Sequence, residues 1–78
     1  MEDFEIYLRS VQQVLNFVSL ATSRNFPVFV SGKYHRVNGK SFMGMFSLNL
    51  RRPVTVSLQC TQEEYDAFLR DAEPFLVK

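Results

Sequence analysis

The order of elements written into this chain predicts an α+β fold. Three helices would cover one face of a four-stranded antiparallel or mixed sheet, an open-faced sandwich in the order βαββαβα. Three observations carry that expectation. Two segments place apolar residues at helical spacing behind a capping signal, four short segments are rich in β-branched and aromatic residues, and turn signals separate them. The chain has 78 residues, 46% hydrophobic and 14% aromatic. It is too apolar for a disordered chain and too short for more than one core, so residues 1–78 read as a single domain.

Taken in order, Phe4-Glu5-Ile6-Tyr7-Leu8 is aromatic and β-branched and predicts a strand. Ser10-Val11-Gln12-Gln13 is a capping box, in which the serine accepts an amide three residues on and Gln13 reaches back. Val11, Val14, Leu15, Val18 and Ala21 then form the stripe of a helix from about Ser10 to Arg24, ended ahead of Phe26-Pro27. Pro27-Val28-Phe29-Val30 and Tyr34-His35-Arg36-Val37 read as a hairpin around Ser31-Gly32. Asn38-Gly39 supplies a further turn.

Ser41-Phe42-Met43-Gly44-Met45-Phe46 suits a strand by apolar content and a short helix by its serine cap, and propensity does not choose between them; the helix is the reading adopted. Pro53 to Cys60 alternates clearly, with Val54, Val56, Leu58 and Cys60 on one face, so Cys60 reads as a buried small hydrophobe. Thr61-Gln62-Glu63-Glu64 repeats the capping box, and Tyr65, Phe68, Leu69, Ala72 and Phe75 form the last helical stripe. Pro74, inside that stripe, should kink or fray its last turn.

Net charge is +1, but its distribution is uneven. No acid lies between Glu5 and Glu63, whereas Arg9, Arg24, Lys33, Arg36, Lys40, Arg51 and Arg52 fall within that stretch. A cationic middle points to an anionic partner, unless the acidic ends fold back to neutralise it. A single cysteine, the want of a membrane-length apolar run and an acidic start without signal-peptide character lead to the expectation of a cytoplasmic protein. Metal-ligand clusters, carboxylate pairs beside a histidine and glycine-rich phosphate loops are missing from the sequence, so neither a metal, a cofactor nor enzymatic activity is expected.

One segment is more specific. Asn38-Gly39-Lys40-Ser41-Phe42-Met43-Gly44, with its apolar, Ser and Leu continuation, resembles the Lys-Ser-Ile-Met-Gly segment of the HPr phosphocarrier family, small proteins of the sugar phosphotransferase system. The resemblance implies a four-stranded antiparallel sheet covered on one face by three helices. In that family a phosphorylatable histidine caps the first helix within a Gly-x-His-Ala-Arg-Pro run. The matching turn here is Leu8-Arg9-Ser10-Val11-Gln12, without His, Gly or Pro, so carrier chemistry is not expected. Ser10 is a helix cap rather than a nucleophile, and the chain's one histidine, His35, matches no carrier position.

What the resemblance does imply is regulation. Ser41 matches the serine that a dedicated kinase phosphorylates in typical members, and the Crh proteins, which also lack the histidine, act as corepressors of a catabolite-control transcription factor. The implied partners are therefore an HPr-type serine kinase or such a transcription factor, with a homodimer open. Lys40 would add charge beside Ser41, Phe42 and Met43 would dock the partner, and Arg9 and Ser10 at the start of the first helix would complete the surface, with Met45 left to the core. A nucleic-acid-binding domain is the competing reading, drawn from the acid-free middle and Arg51-Arg52. It is the weaker one, because Tyr34 alone interleaves an aromatic ring with the basic residues.

Overall fold

The computed structural model describes residues 2–77. Its elements are β1 (Phe4–Ile6), α1 (Val11–Thr22), β2 (Val28–Ser31), β3 (Arg36–Asn38), α2 (Phe42–Phe46), β4 (Val54–Leu58) and α3 (Gln62–Asp71), followed by a 3-10 turn over Glu73–Phe75. The four strands lie in the order β1-β4-β2-β3, and every pairing is antiparallel. This is the α+β open-faced sandwich expected.

Strand register explains which face the helices cover. Val37, Val30, Val56 and Phe4 face one another across the full sheet, with Ile6 opposite Val54. Because side chains alternate, this sets Val28, Val30, Val54, Val56 and Ile6 together in the core, each at most 2% exposed. The other face carries the row Arg36, Ser31, Thr55 and Glu5. Its one large apolar group, Phe29, is half-buried beneath the Arg36 guanidinium, 4.0 Å from the ring centre.

Helices α1 and α3 roof the sheet through aromatic packing. Phe17 meets Phe68 and Phe75 edge-on at centroid distances of 6.2 and 5.9 Å, and Phe26 closes on Phe68 at 6.2 Å. Edge-to-face pairs at this spacing add to the area term of about 1.5–3 kcal/mol for each large apolar side chain fully buried. Both helices carry the expected side-chain caps, but the reciprocal half of the capping box forms only on α3, Gln13 reaching instead the amide before the α1 cap. Ser10 Oγ accepts from Gln13 N at 3.1 Å while Gln13 Oε1 accepts from Arg9 N at 2.6 Å, and Thr61 and Glu64 form the reciprocal pair on α3.

Several boundaries differ from the sequence reading for physical reasons. Helix α1 stops at Thr22 because the Ser23 hydroxyl donates to the Leu20 carbonyl at 2.6 Å and closes the last turn. The β2–β3 turn is wider than Ser31-Gly32: Gly32 N donates to His35 O at 2.9 Å, which leaves Tyr34 and His35 outside β3. Strand β1 is shortened because Tyr7 N pairs with Phe75 O at 2.8 Å and Ile6 bridges to Leu76, so the chain's end covers that edge. Cys60 is half-buried rather than buried, since it lies beyond the last paired residue of β4. Pro74 acts as foreseen, and α3 gives way to the 3-10 turn.

Candidate docking surface

The segment whose conformation the sequence left open is a helix. Ser41 stands in extended backbone, and its hydroxyl accepts the Gly44 amide at 3.1 Å, so the side chain replaces an acceptor that the first turn lacks. The same residue's amide donates to Asn38 O at 3.0 Å, tying the cap to the end of β3. Ser41 is half-buried. Gly44 has a local reason to be glycine: a Cβ there would lie 3.2 Å from Val37 Cβ and 3.4 Å from the capping hydroxyl. Met45 is fully buried, so it anchors the five-residue helix to the core.

The residues around that anchor point outward. Phe42 is 43% exposed, Met43 84% and Phe46 48%. One helical turn apart, Phe42 and Phe46 stack with rings 13° from parallel and centroids 6.5 Å apart. Against α1, Phe42 closes a shallow groove of about 470 Å³ with Leu15, Val18 and Thr22. On the opposite side, Phe46, Leu48 and Leu50 face Leu8, Val11 and Val14 across a second groove of about 400 Å³, and Val11 is 63% exposed. Helix α2 is therefore flanked on both sides by largely apolar clefts against α1.

The polar residues singled out from the sequence fall into two groups. Ser10 and Arg9 border the second groove at the start of α1, where Ser10 is the cap and the Arg9 guanidinium lies 5.1 Å from the Tyr7 ring centre. Lys40 is turned another way. Its ammonium donates to the Arg24 carbonyl at 2.7 Å in a partly buried bond, so it ties the end of α1 to the approach of α2. Of the cations in the acid-free middle, Arg24 is neutralised by an ion pair with Asp71 and rests 5.8 Å from the Phe68 ring centre. His35 stands in the β2–β3 turn with Nε2 3.2 Å from Ser47 Oγ. Ser47 Oγ itself donates to Gly44 O at 2.6 Å. That hydroxyl is thus not set up as a nucleophile deprotonated by the imidazole.

Phe46 and Val11 were not among the expected docking residues. A signal for both existed: Phe46 lies four residues after Phe42 on a short helix, and Val11 is the first residue of the α1 stripe, where its neighbours turn away from the core. Elsewhere, burial followed by the Glu64 charge pushes the Cys60 thiol up, and burial followed by Glu2 and Asp3 pushes the Tyr65 phenol up. Both groups belong to the region near the start of α3, away from α2.

Among known proteins, no family model and no curated protein matches the chain. Among solved structures, it is similar to the crystal structure of HPr-C-His from Thermoanaerobacter tengcongensis, at 25% identity and a TM-score of 0.73, over 92% of this chain and 90% of that one. The architecture is HPr-like, and that likeness suggests a phosphocarrier-related role. No helix among the described residues is long and apolar enough to cross a membrane.

Proposed function

We infer that this chain is a regulatory or adaptor domain of HPr type, working without the active-site histidine of the carriers, that engages a protein partner through α2 and the facing side of α1. The observation that carries the reading is the apolar surface of Val11, Phe42, Met43 and Phe46 gathered beside the Ser41 cap. Apolar side chains on a surface recruit a protein, and Met43 and the stacked Phe42 and Phe46 suit a partner groove lined with aliphatic groups. At the start of α1 the cap is Ser10, whose Oγ serves Gln13 N. A hydroxyl so engaged, hydrogen-bonded to an amide and to no basic side chain among the described residues, is a poor phosphoryl acceptor, which supports an adaptor over a carrier.

Ser41 is the regulatory position in this reading. A phosphate on its oxygen would stand at the first turn of α2, where the Phe42 and Met43 amides have no acceptor within the helix, and would add about two negative charges next to the docking surface. The partners that fit are an HPr-type serine kinase and a catabolite-control transcription factor. Incubation of the folded protein with such a kinase and ATP should add one phosphate, and Ser41→Ala should abolish it. Pull-down from native cytosol should lose its partner on Phe42→Ala with Met43→Ala. Retention of the same partner by that double variant, with its fold intact, would refute the docking surface.

A further inference from the structure

A second surface carries chemistry that the apolar one does not. The β2–β3 turn and the segment between α2 and β4 enclose a cleft of about 510 Å³ lined by Lys33, Tyr34, His35, Leu48, Asn49 and Arg52, together with neighbouring β2 and β4 residues. Ser41, Phe42 and Met43 are not part of its lining. We propose that this cleft binds a nucleotide, its phosphate held by Lys33 and Arg52 and its base stacked on Tyr34.

Charge is the first argument. The cleft is lined by no carboxylate, and neither Lys33 nor Arg52 makes an ion pair with a described residue. Two cations without counter-charges lining one concave site focus a positive potential there, which favours a phosphate group. The second argument is Tyr34. At 85% exposure it is the most exposed large apolar side chain of the described residues, yet the Lys33 ammonium lies 5.3 Å from its ring centre. An aromatic face next to a cation is the pairing that single-stranded nucleic acids and nucleotides use, because every base offers a π-face while its phosphate needs a positive charge. A bare phosphate would leave that ring without a role.

The third argument is rigidity and size. Gly32 sets the turn directly on the α2–β4 segment, since a Cβ there would lie 3.1 Å from Leu48 Cδ2. The Gly32 N to His35 O bond and the His35 contact with Ser47 hold the turn in that position. The volume lies within the roughly 300–1,000 Å³ of small-ligand sites, enough for one nucleotide. In the sequence Lys33 and Tyr34 are eighteen or more residues from Arg52, so only the fold brings them together.

The test is amide NMR of the labelled protein at low salt, titrated separately with AMP, a single-stranded oligoadenylate and inorganic phosphate. AMP or the oligoadenylate should shift the amides of Gly32 to His35, Leu48 and Arg52. Saturation by AMP alone identifies a free nucleotide as the ligand, and binding of the oligoadenylate with AMP weak identifies a strand segment. Tyr34→Ala should weaken binding about five-fold or more while Tyr34→Phe retains it. Lys33→Gln with Arg52→Gln should lower the slope of log affinity against log salt for the oligoadenylate by about 0.7 per cation removed. These side chains are on the surface, so the variants' own spectra report intact folding. The proposal is overturned if neither nucleotide shifts these amides, if the shifts centre on α2, if inorganic phosphate binds as well as AMP, or if Tyr34→Ala binds like wild type.

Discussion

Ser41→Ala isolates the cap from every other property of α2. The substitution deletes one hydroxyl, which accepts the Gly44 amide at 3.1 Å in a partly buried site, and leaves that amide without its acceptor. Losing a serine N-cap costs about 0.5–2 kcal/mol, typically near 1. For a domain of this size each kcal/mol moves the melting temperature by roughly 4–8 °C, so a fall of about that amount is expected. The loss should not be much smaller, because α2 has only five residues and holds the fully buried Met45 in the core. Thermal unfolding followed by circular dichroism measures it, with Ser41→Asp as the control that keeps an accepting oxygen and should recover most of the loss. An unchanged melting temperature in Ser41→Ala, or a Ser41→Asp variant as unstable as the alanine, would show that the hydroxyl does not hold the helix start.

Gly39→Ala should be more damaging, at about 1–3 kcal/mol by overpacking, because a Cβ there would lie 2.8 Å from Val28 Cγ1 and 3.2 Å from Val30 Cγ2; urea denaturation would measure it, and a midpoint within error of wild type would contradict it. Asp71→Asn should cost less than about 1 kcal/mol and its effect should shrink in high salt, since the pair with Arg24 is 26% and 51% exposed; a loss unaffected by salt would argue against an ionic origin. The raised Cys60 thiol binds its proton more tightly in the folded than in the unfolded chain, so its contribution to stability is complete below the unfolded value near 9.0 and is lost as pH rises through the higher folded value. Melting temperatures of wild type should therefore fall more steeply than those of Cys60→Ser above about pH 9, and parallel curves would remove the basis for that linkage.

The parts of the fold legible in the sequence are those decided locally. The serine and threonine caps of α1 and α3 declare themselves through residues three apart, and the alternation of Val54, Val56 and Leu58 can satisfy only a strand. Helix α2 was ambiguous because Phe-Met-Gly-Met-Phe is too short for either periodicity to assert itself. What settles it lies outside the segment: Gly44 fits closely against Val37 of β3, and Met45 fills the core. Asn38-Gly39 shows the converse, a correct turn signal with an incomplete reason. No described glycine has a positive φ, and what requires glycine at 39 is its approach to Val28 and Val30, with its amide donating to the Val28 carbonyl at 2.8 Å.

The candidate surfaces divide along the same line. The outward assignment of Phe42 and Met43 comes from the family resemblance and that of Met45 inward from the need of a small domain for core residues, and the exposures of 43%, 84% and 0% agree with both. The direction of Lys40 could not be read in this way, since its acceptor is a carbonyl sixteen residues earlier. The cationic middle was visible as a count, but a count says nothing of where charge accumulates. Folding neutralises Arg24 with Asp71, lays Arg36 on Phe29, spends Lys40 on the end of α1, and leaves Lys33 and Arg52 facing one cleft. An even scatter of those cations would have produced a weak, unfocused field. Their sorting into structural ties, a pair beside the second groove (Arg9 and Arg51) and a pair lining one cleft (Lys33 and Arg52) is what gives an excess of base a local focus.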